Sequence, residues 1–287
     1  MTMMQNSQPS GGAVRVIAVS SGKGGVGKTN VSVNLALALA QEGQQVLLMD
    51  ADLGMANVDV MLNIRPQYDL YHVITGQKTL DEVIIQGPLG VGIIPAASGV
   101  GRMADLSPHE HAGLIAAFDE IAHRVDTLVV DTAAGISDSV VSFSRAAQEI
   151  IVVVCDEPAS ITDAYALIKV LSLEHGIRRF QILANMVSDA EHGRRLYARL
   201  ANVAGSFLDV SLGYVGAIPL DDRLKQAVRQ QSPVLLSFPH SASGVAFQQL
   251  GKRIKGLPRL PAASGHLGFF IERTSLAQTA RVGGACT

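Results

Sequence analysis

Short apolar runs, most of them β-branched, recur along the chain, and each is followed by a stretch of helical period. The runs are Val14-Arg15-Val16-Ile17-Ala18-Val19, Gln45 to Asp50, Val91 to Pro95, Asp126 to Asp131, Glu149 to Cys155, Gln181 to Asn185 and Tyr214 to Asp221. Apolar character that barely alternates over so few residues is what a strand covered on both faces requires. Strands alternating with helices favour a parallel sheet, since each parallel pair needs a crossover. The pattern predicts an α/β fold: one doubly wound, mostly parallel sheet of about seven strands with helices on both faces, over residues 13–260. There is no internal repeat and no second domain. Residues 1–12 are polar and read as a flexible leader, while residues 261–287 form a separate tail.

The helices are marked by their ends. One follows Thr29 and runs to about Glu42, with Gly43 as its stop. Short pieces are expected over Asp69 to Thr75 and Leu80 to Ile85. Ser107-Pro108-His109-Glu110 opens a helix reaching about His123, with serine at the N-cap, proline at N1 and a glutamate closing a capping box. Ser137 to Gln148 is helical, and Ser160 with Asp163 predicts a further N-cap for a helix ending near Leu173.

Chemistry concentrates just after the first strand. Gly22-Lys23-Gly24-Gly25-Val26-Gly27-Lys28-Thr29 matches G-x-x-x-x-G-K-[ST], between a strand and the helical run from Asn30 onward. Glycines let the backbone curl so that N–H groups face phosphate oxygens, and the following helix adds its positive end. Lys28 is placed to reach the β- and γ-phosphates and the Thr29 hydroxyl to ligate Mg²⁺. Asp50 and Asp52 end the second strand and Asp131 ends the fourth, at the edge where open α/β sheets hold ligands. A carboxylate in the position of Asp131 holds Mg²⁺ through its water shell. The residues therefore imply a protein that binds a nucleoside triphosphate with Mg²⁺.

Composition narrows this in a few ways. Apolar residues make up 48% and charged residues 17% of 287, enough for a large core and against wholesale disorder. A net charge of −2 argues against a chain that is basic overall. Cys155 and Cys286 are too far apart in sequence for a C-x-x-C site, and Cys155 reads as a core thiol. His109, His111 and His123 lack the supporting ligands of a metal cluster. No run approaches the ~20 apolar residues of a bilayer span, and residues 1–12 lack the features of a secretory signal, so a cytoplasmic location is expected.

The second lysine of the loop, Lys23, makes K-G-G-x-G-K-T, which resembles the deviant Walker A family of MinD and ParA ATPases. That resemblance implies an ATP-dependent homodimer in which Lys23 crosses to the phosphates bound by the other subunit. The Asp50-Ala51-Asp52-Leu53-Gly54-x-x-Asn57-x-Asp59 stretch is similar to the first switch of MinD-type ATPases, with Asp50 supporting the Mg²⁺ shell and Asp52 positioning the attacking water. Gly135 corresponds to a second-switch glycine whose N–H senses the γ-phosphate. In Asp131-Thr132-Ala133-Ala134-Gly135, Ala133 stands where family members often carry proline. Asn185 is expected on the adenine edge and Pro219 to Asp221 against the purine. Further stretches, including Pro95-Ala96-Ala97-Ser98-Gly99, Ile136-Ser137-Asp138-Ser139-Val140-Val141, Cys155 to Ala166 and Gly265 to Arg273, resemble the FlhG/FleN group of MinD-like ATPases that limit flagellar number, its polar-flagellate branch most of all. Membership implies an antiactivator that binds a σ54-dependent flagellar master regulator of the FleQ type. The D-Q-A-x-x-L-R segment with which some members activate a signal-recognition-type GTPase is missing from the leader.

Two features of the tail stay open at this level. From Asp221 to Pro261, seven basic residues stand against two acidic ones, which fits a solvated helix surface or a nucleic-acid or membrane face; the acidic total disfavours direct DNA binding. Gly265 to Arg273 places Leu267, Phe270 and Ile271 on one helical face, as either an interfacial anchor or a segment docked on the body. An anchor would put the protein at the inner face of the membrane or at a cell pole. The alternative within the same family is a spatial positioning ATPase of MinD or ParA type acting on membrane or DNA. An iron–sulfur carrier relative would need interface cysteine pairs, and a tyrosine autokinase a tyrosine-rich tail; neither is present.

Overall fold

The computed structural model describes residues 14–52, 57–96 and 108–258. The leader, Leu53 to Ala56, Ala97 to Ser107, the helix expected over Gly265 to Arg273 and Cys286 lie outside these residues, and with them the serine cap expected at Ser107.

The chain runs β1 (Arg15–Ser21), α1 (Lys28–Gln41), β2 (Val46–Ala51), α2 (Val58–Leu62), α3 (Leu70–Ile74), α4 (Leu80–Val83), β3 (Ile85–Gln86) and β4 (Gly92–Ile94). It continues through α5 (Pro108–Ala122), β5 (Thr127–Ala134), α6 (Asp138–Ala146), β6 (Glu149–Val154), α7 (Pro158–Leu173), β7 (Arg179–Val187) and α8 (Ala190–Phe207). The last elements are β8 (Ser211–Pro219), α9 (Asp222–Arg229), α10 (Val234–Ser237) and α11 (Ala242–Gly256). One sheet carries the order β3-β4-β2-β5-β1-β6-β7-β8. Every pairing is parallel except the β3–β4 edge, which is antiparallel. This is the expected doubly wound sheet with one strand more than the pattern predicts: β3 has only two residues, too few to show a period.

Successive strand residues point to opposite faces, so each strand feeds two cores. Ile17 and Val19 pack with α1 and α11 on one side, whereas Val16 packs with Leu114, Phe118 and Ile121 of α5 on the other. Ile150, Val152 and Val154 of β6 meet α7 and α8 through Leu167, Leu171, Leu196 and Leu200. Cys155 is buried, as its apolar run implies. Helix α7 departs from expectation at its start. It begins at Pro158 with Glu157 as an N-cap that makes no side-chain bond. Ser160 lies inside the first turn, where its Oγ accepts from the Cys155 N–H at 3.1 Å.

Arg15 is the one charge in the first apolar run, and it is buried at the amino end of the sheet. Its guanidinium meets Glu149 of β6 at 3.3 Å and donates to the Ile254 carbonyl of α11 at 2.6 Å. Gln181 of β7 donates to the other Glu149 oxygen at 3.4 Å. The ion pair thus ties β1, β6, β7 and the last helix together. Removing one partner of a buried pair leaves an uncompensated charge, so Arg15→Ala is expected to lower unfolding stability by about 3–5 kcal/mol in urea titration, with the slope unchanged. A loss below about 1 kcal/mol would mean that the pair is surface-like.

Candidate functional site

β1 ends at Ser21 and the chain turns through the glycine-rich loop into α1, at the carboxyl edge of the sheet. Two positions of that loop admit only glycine. A Cβ at Gly22 would collide with the backbone of Asp163 and Ala164 in α7. Gly27, the residue before α1, has φ +87°, and a Cβ there would lie 2.6 Å from Asn185 Nδ2. The loop is therefore pressed between α7 and the end of β7, which sets the direction of its N–H groups.

Two carboxylates stand beside it. Asp50 and Asp131 are register partners in β2 and β5, and both are buried. The Asp131 Oδ1 accepts from Ser32 Oγ at 2.8 Å, and its carboxylate also bonds the Thr29 hydroxyl. Burial pushes the Asp131 carboxyl up to about 7; the Thr29 and Ser32 hydroxyls and Lys28 oppose this, while Asp50 reinforces it. Asp50 Oδ1 accepts from the Asp52 N–H at 3.0 Å, and Oδ2 from the N–H groups of Asn57 and Val58 at 3.0 and 3.1 Å. Burial raises Asp50 to about 6 even against those three bonds. Its role in the structure is to anchor the segment that carries Asp52. Burial lowers the pKa of Lys28, with Asp131 and Asp52 acting the other way.

A cavity of ≈ 470 Å³ opens over this group. Loop and helix residues Gly24, Gly25, Gly27, Lys28, Thr29 and Asn30 line it, with Asp52, Asn57, Val60, Met61, Ala134, Met186, Val228 and Gln231. The site residues expected from sequence are thus largely brought together, with several exceptions. Val26 is buried beneath the loop and offers its carbonyl to Asn185 Nδ2 at 2.7 Å. Lys23 is not among the lining residues; it pairs with Glu157 at the start of α7, which raises its pKa through that bond. The Gly135 N–H, expected to sense a phosphate, donates instead to the Ser21 carbonyl at 2.9 Å, so in this structure the second switch is tied to the loop. Pro219 and Asp221 are not among the lining residues. Asp221 caps α9 by accepting from the Arg223 N–H at 2.8 Å, and it accepts from the Ser243 N–H and Oγ at 2.9 and 2.7 Å. Among the described residues no cluster of histidine, cysteine and carboxylate is arranged for a bare metal site.

Sequence reasoning misses Ser32, Glu157, Val60, Met61, Met186, Val228 and Gln231. Ser32 lies one turn beyond Lys28 on a buried helix, a polar residue among apolar ones, and that is a usable signal. Glu157 reaches Lys23 across 134 residues, and no local pattern announces such a contact.

Comparison with known proteins agrees with this geometry. A family model described as an AAA domain matches residues 14–181. The antiactivator FleN of Pseudomonas aeruginosa is 56% identical over 260 residues, 91% of this chain and 93% of that one. The chain belongs to the FleN group of MinD/ParA-type ATPases. The flagellum site-determining protein YlxH of Helicobacter pylori is 34% identical over 240 residues, 83% of this chain and 81% of its own. Among solved structures, the septum site-determining protein MinD of Pyrococcus horikoshii, complexed with Mg-ADP, superposes with a TM-score of 0.69 at 27% identity, over 88% of this chain and 100% of that one. As a member of this family the chain is an ATPase that uses Mg²⁺. The donor set fits: Thr29 and a buried Asp131 carboxyl held high in its pKa form a place where a divalent cation would restore the carboxylate charge.

Asp131 holds a proton in the folded, nucleotide-free chain that the unfolded chain releases near pH 4, so the stability it contributes is lost as pH rises through about 7. The thermal midpoint of Asp131→Asn is therefore expected to gain on that of wild type as pH is raised from about 5 to 8 without Mg²⁺. A constant difference across that range would contradict the buried, protonated state.

Proposed function

We propose that this chain is a dimeric ATP switch that limits flagellar number by restraining a σ54-dependent flagellar activator of the FleQ type. The observation that carries the cellular role is the 56% identity to an antiactivator over nearly the whole of both chains. The site chemistry supports the switch. Thr29 and Asp131, with Asp50 behind them, would hold Mg²⁺, which when bound would supply positive charge to the β- and γ-phosphates. Loop N–H groups from Gly22 to Asn30 cradle the phosphates, and Lys28 stabilises the charge that develops on the transferred group. Asp52 orients a water for in-line attack; the new bond forms at the γ-phosphorus while its bond to the bridging oxygen breaks, leaving ADP and phosphate.

Two copies meet across the site, with the partner's Lys23 neutralising phosphate charge. For this, Lys23 must leave Glu157, and the Gly135 N–H must leave Ser21 to meet the γ-phosphate. Loss of that phosphate lets both contacts re-form, and the dimer relaxes. The fixed Asn185 amide contributes at the base: Nδ2 is committed to Val26, and the buried Oδ1 has no hydrogen-bond partner, an acceptor suited to the exocyclic amine of adenine. Among the described residues no helix is long and apolar enough to cross a membrane. Contact with the membrane surface or pole belongs, in this reading, to the segment from Gly265 to Arg273.

Asp52→Ala is expected to bind ATP and dimerise but to turn over about 100-fold more slowly in a phosphate-release assay; undiminished turnover would remove Asp52 from the chemistry. In cells lacking the protein, electron microscopy is expected to show supernumerary flagella, corrected by wild type and not by Lys28→Ala. An unchanged count with misplaced plasmids or septa would favour the MinD/ParA positioning role instead.

A further inference from the structure

Two residues lining the nucleotide cavity adopt backbone conformations that cost a side chain. Met186 has φ +56° and sits at the irregularity in register between Asn185 and Val187, at the carboxyl end of β7. Such bulges re-aim side chains beside active sites. Gln231 has φ +50° just past α9. Its N–H donates to the Val228 carbonyl at 3.0 Å and the Ser232 N–H to the Ala227 carbonyl at 3.1 Å, the paired bonds of a helix end that is ordinarily built on glycine. Both side chains reach solvent: Met186 is 42% exposed, with its Cε set against Gly27 of the phosphate loop, and Gln231 is exposed with no side-chain hydrogen bond among the described residues. The Gln231 loop is nonetheless held in place. Asn34 of α1, fully buried, accepts from the Leu235 N–H at 3.2 Å and donates to the Asn30 carbonyl at 2.9 Å, which ties this segment to the helix that starts at the phosphate loop.

We infer that Met186 and Gln231, which both line the cavity, are the two jaws of a clamp on the nucleotide base, and that the strained backbones are kept because these side chains grip the ligand. Strain of this kind persists where it serves a site. The inference rests on the ATP-site reading above and deepens it. The Met186 thioether is a flexible, polarisable surface for a purine face. The Gln231 amide offers a donor and an acceptor side by side, a match for the amino and ring-nitrogen edge of adenine. Asn185 sets the acceptor that the base must satisfy, and the clamp supplies hold.

The test compares Mg-ADP with Mg-tripolyphosphate, a ligand without a base, by calorimetric titration of the full chain. Gln231→Gly and Met186→Gly are each expected to weaken ADP binding about tenfold while leaving tripolyphosphate binding within twofold. Both should also raise the thermal midpoint of the free protein by relieving the left-handed strain. Gln231→Asn, which tolerates that backbone but reaches less far, should fall between wild type and glycine. Unchanged ADP affinity in both glycine variants would overturn the clamp, as would an equal loss for ADP and tripolyphosphate, which would mark a structural effect on the whole pocket. Wild-type protein that fails to bind ADP would instead sink the nucleotide reading on which the clamp depends.

Discussion

Asp50 and Asp131 end adjacent parallel strands in register and are held out of water side by side. Like charges in that position resist ionising together, and burial raises both carboxyls to about 6 and about 7. A cation beside them relieves the conflict, and a triphosphate brings one. The same pair organises both sides of the pocket: Asp131 is bonded by Thr29 and Ser32 of α1, while Asp50 takes three N–H groups from the segment bearing Asp52. The mutual repulsion of the pair and its capacity to hold a cation therefore have one origin.

The architecture supplies that placement without special pleading. β1 lies between β5 and β6, so the loop after it emerges at the edge where chain direction across the sheet changes. Gly22 against α7 and Gly27 against Asn185 fix the loop from two sides. Glu157, immediately before α7, holds Lys23, and Ser21 holds Gly135. Two groups expected to meet the nucleotide phosphates are thus each engaged within the single chain, by contacts that are exposed or backbone-only and so inexpensive to exchange. The resting structure and the proposed dimer differ by those exchanges rather than by a refolding of the core.

What the sequence reveals follows the range of the interactions. Buried strands and the phosphate loop are written in contiguous residues, and all seven expected strands are found. The two-residue β3 carries no period, and the N-cap expected at Ser160 fails because Pro158 starts α7 earlier and turns the serine back onto Cys155. At the site, Lys28, Thr29, Asp52 and the acidic pair are legible because each sits in a local motif. The family resemblance sets Asp221 against the purine, and the structure adds what no local pattern announces: its carboxylate caps α9 and accepts from Ser243. Met186 and Gln231 are invisible in the sequence: their signal is a positive φ at residues other than glycine, which only coordinates display.

The claim at the centre of this account is that the ATP site is completed by the Lys23 of a second copy once that lysine leaves Glu157. Sedimentation velocity of wild type and Lys23→Ala, each with Mg²⁺ and either ATP or ADP, tests it most directly. Wild type is expected to sediment as a dimer with ATP and as a monomer with ADP, while Lys23→Ala stays monomeric with both. A Lys23→Ala protein that dimerises with ATP as wild type does would contradict the account, and Lys23 would then be a surface lysine paired with Glu157.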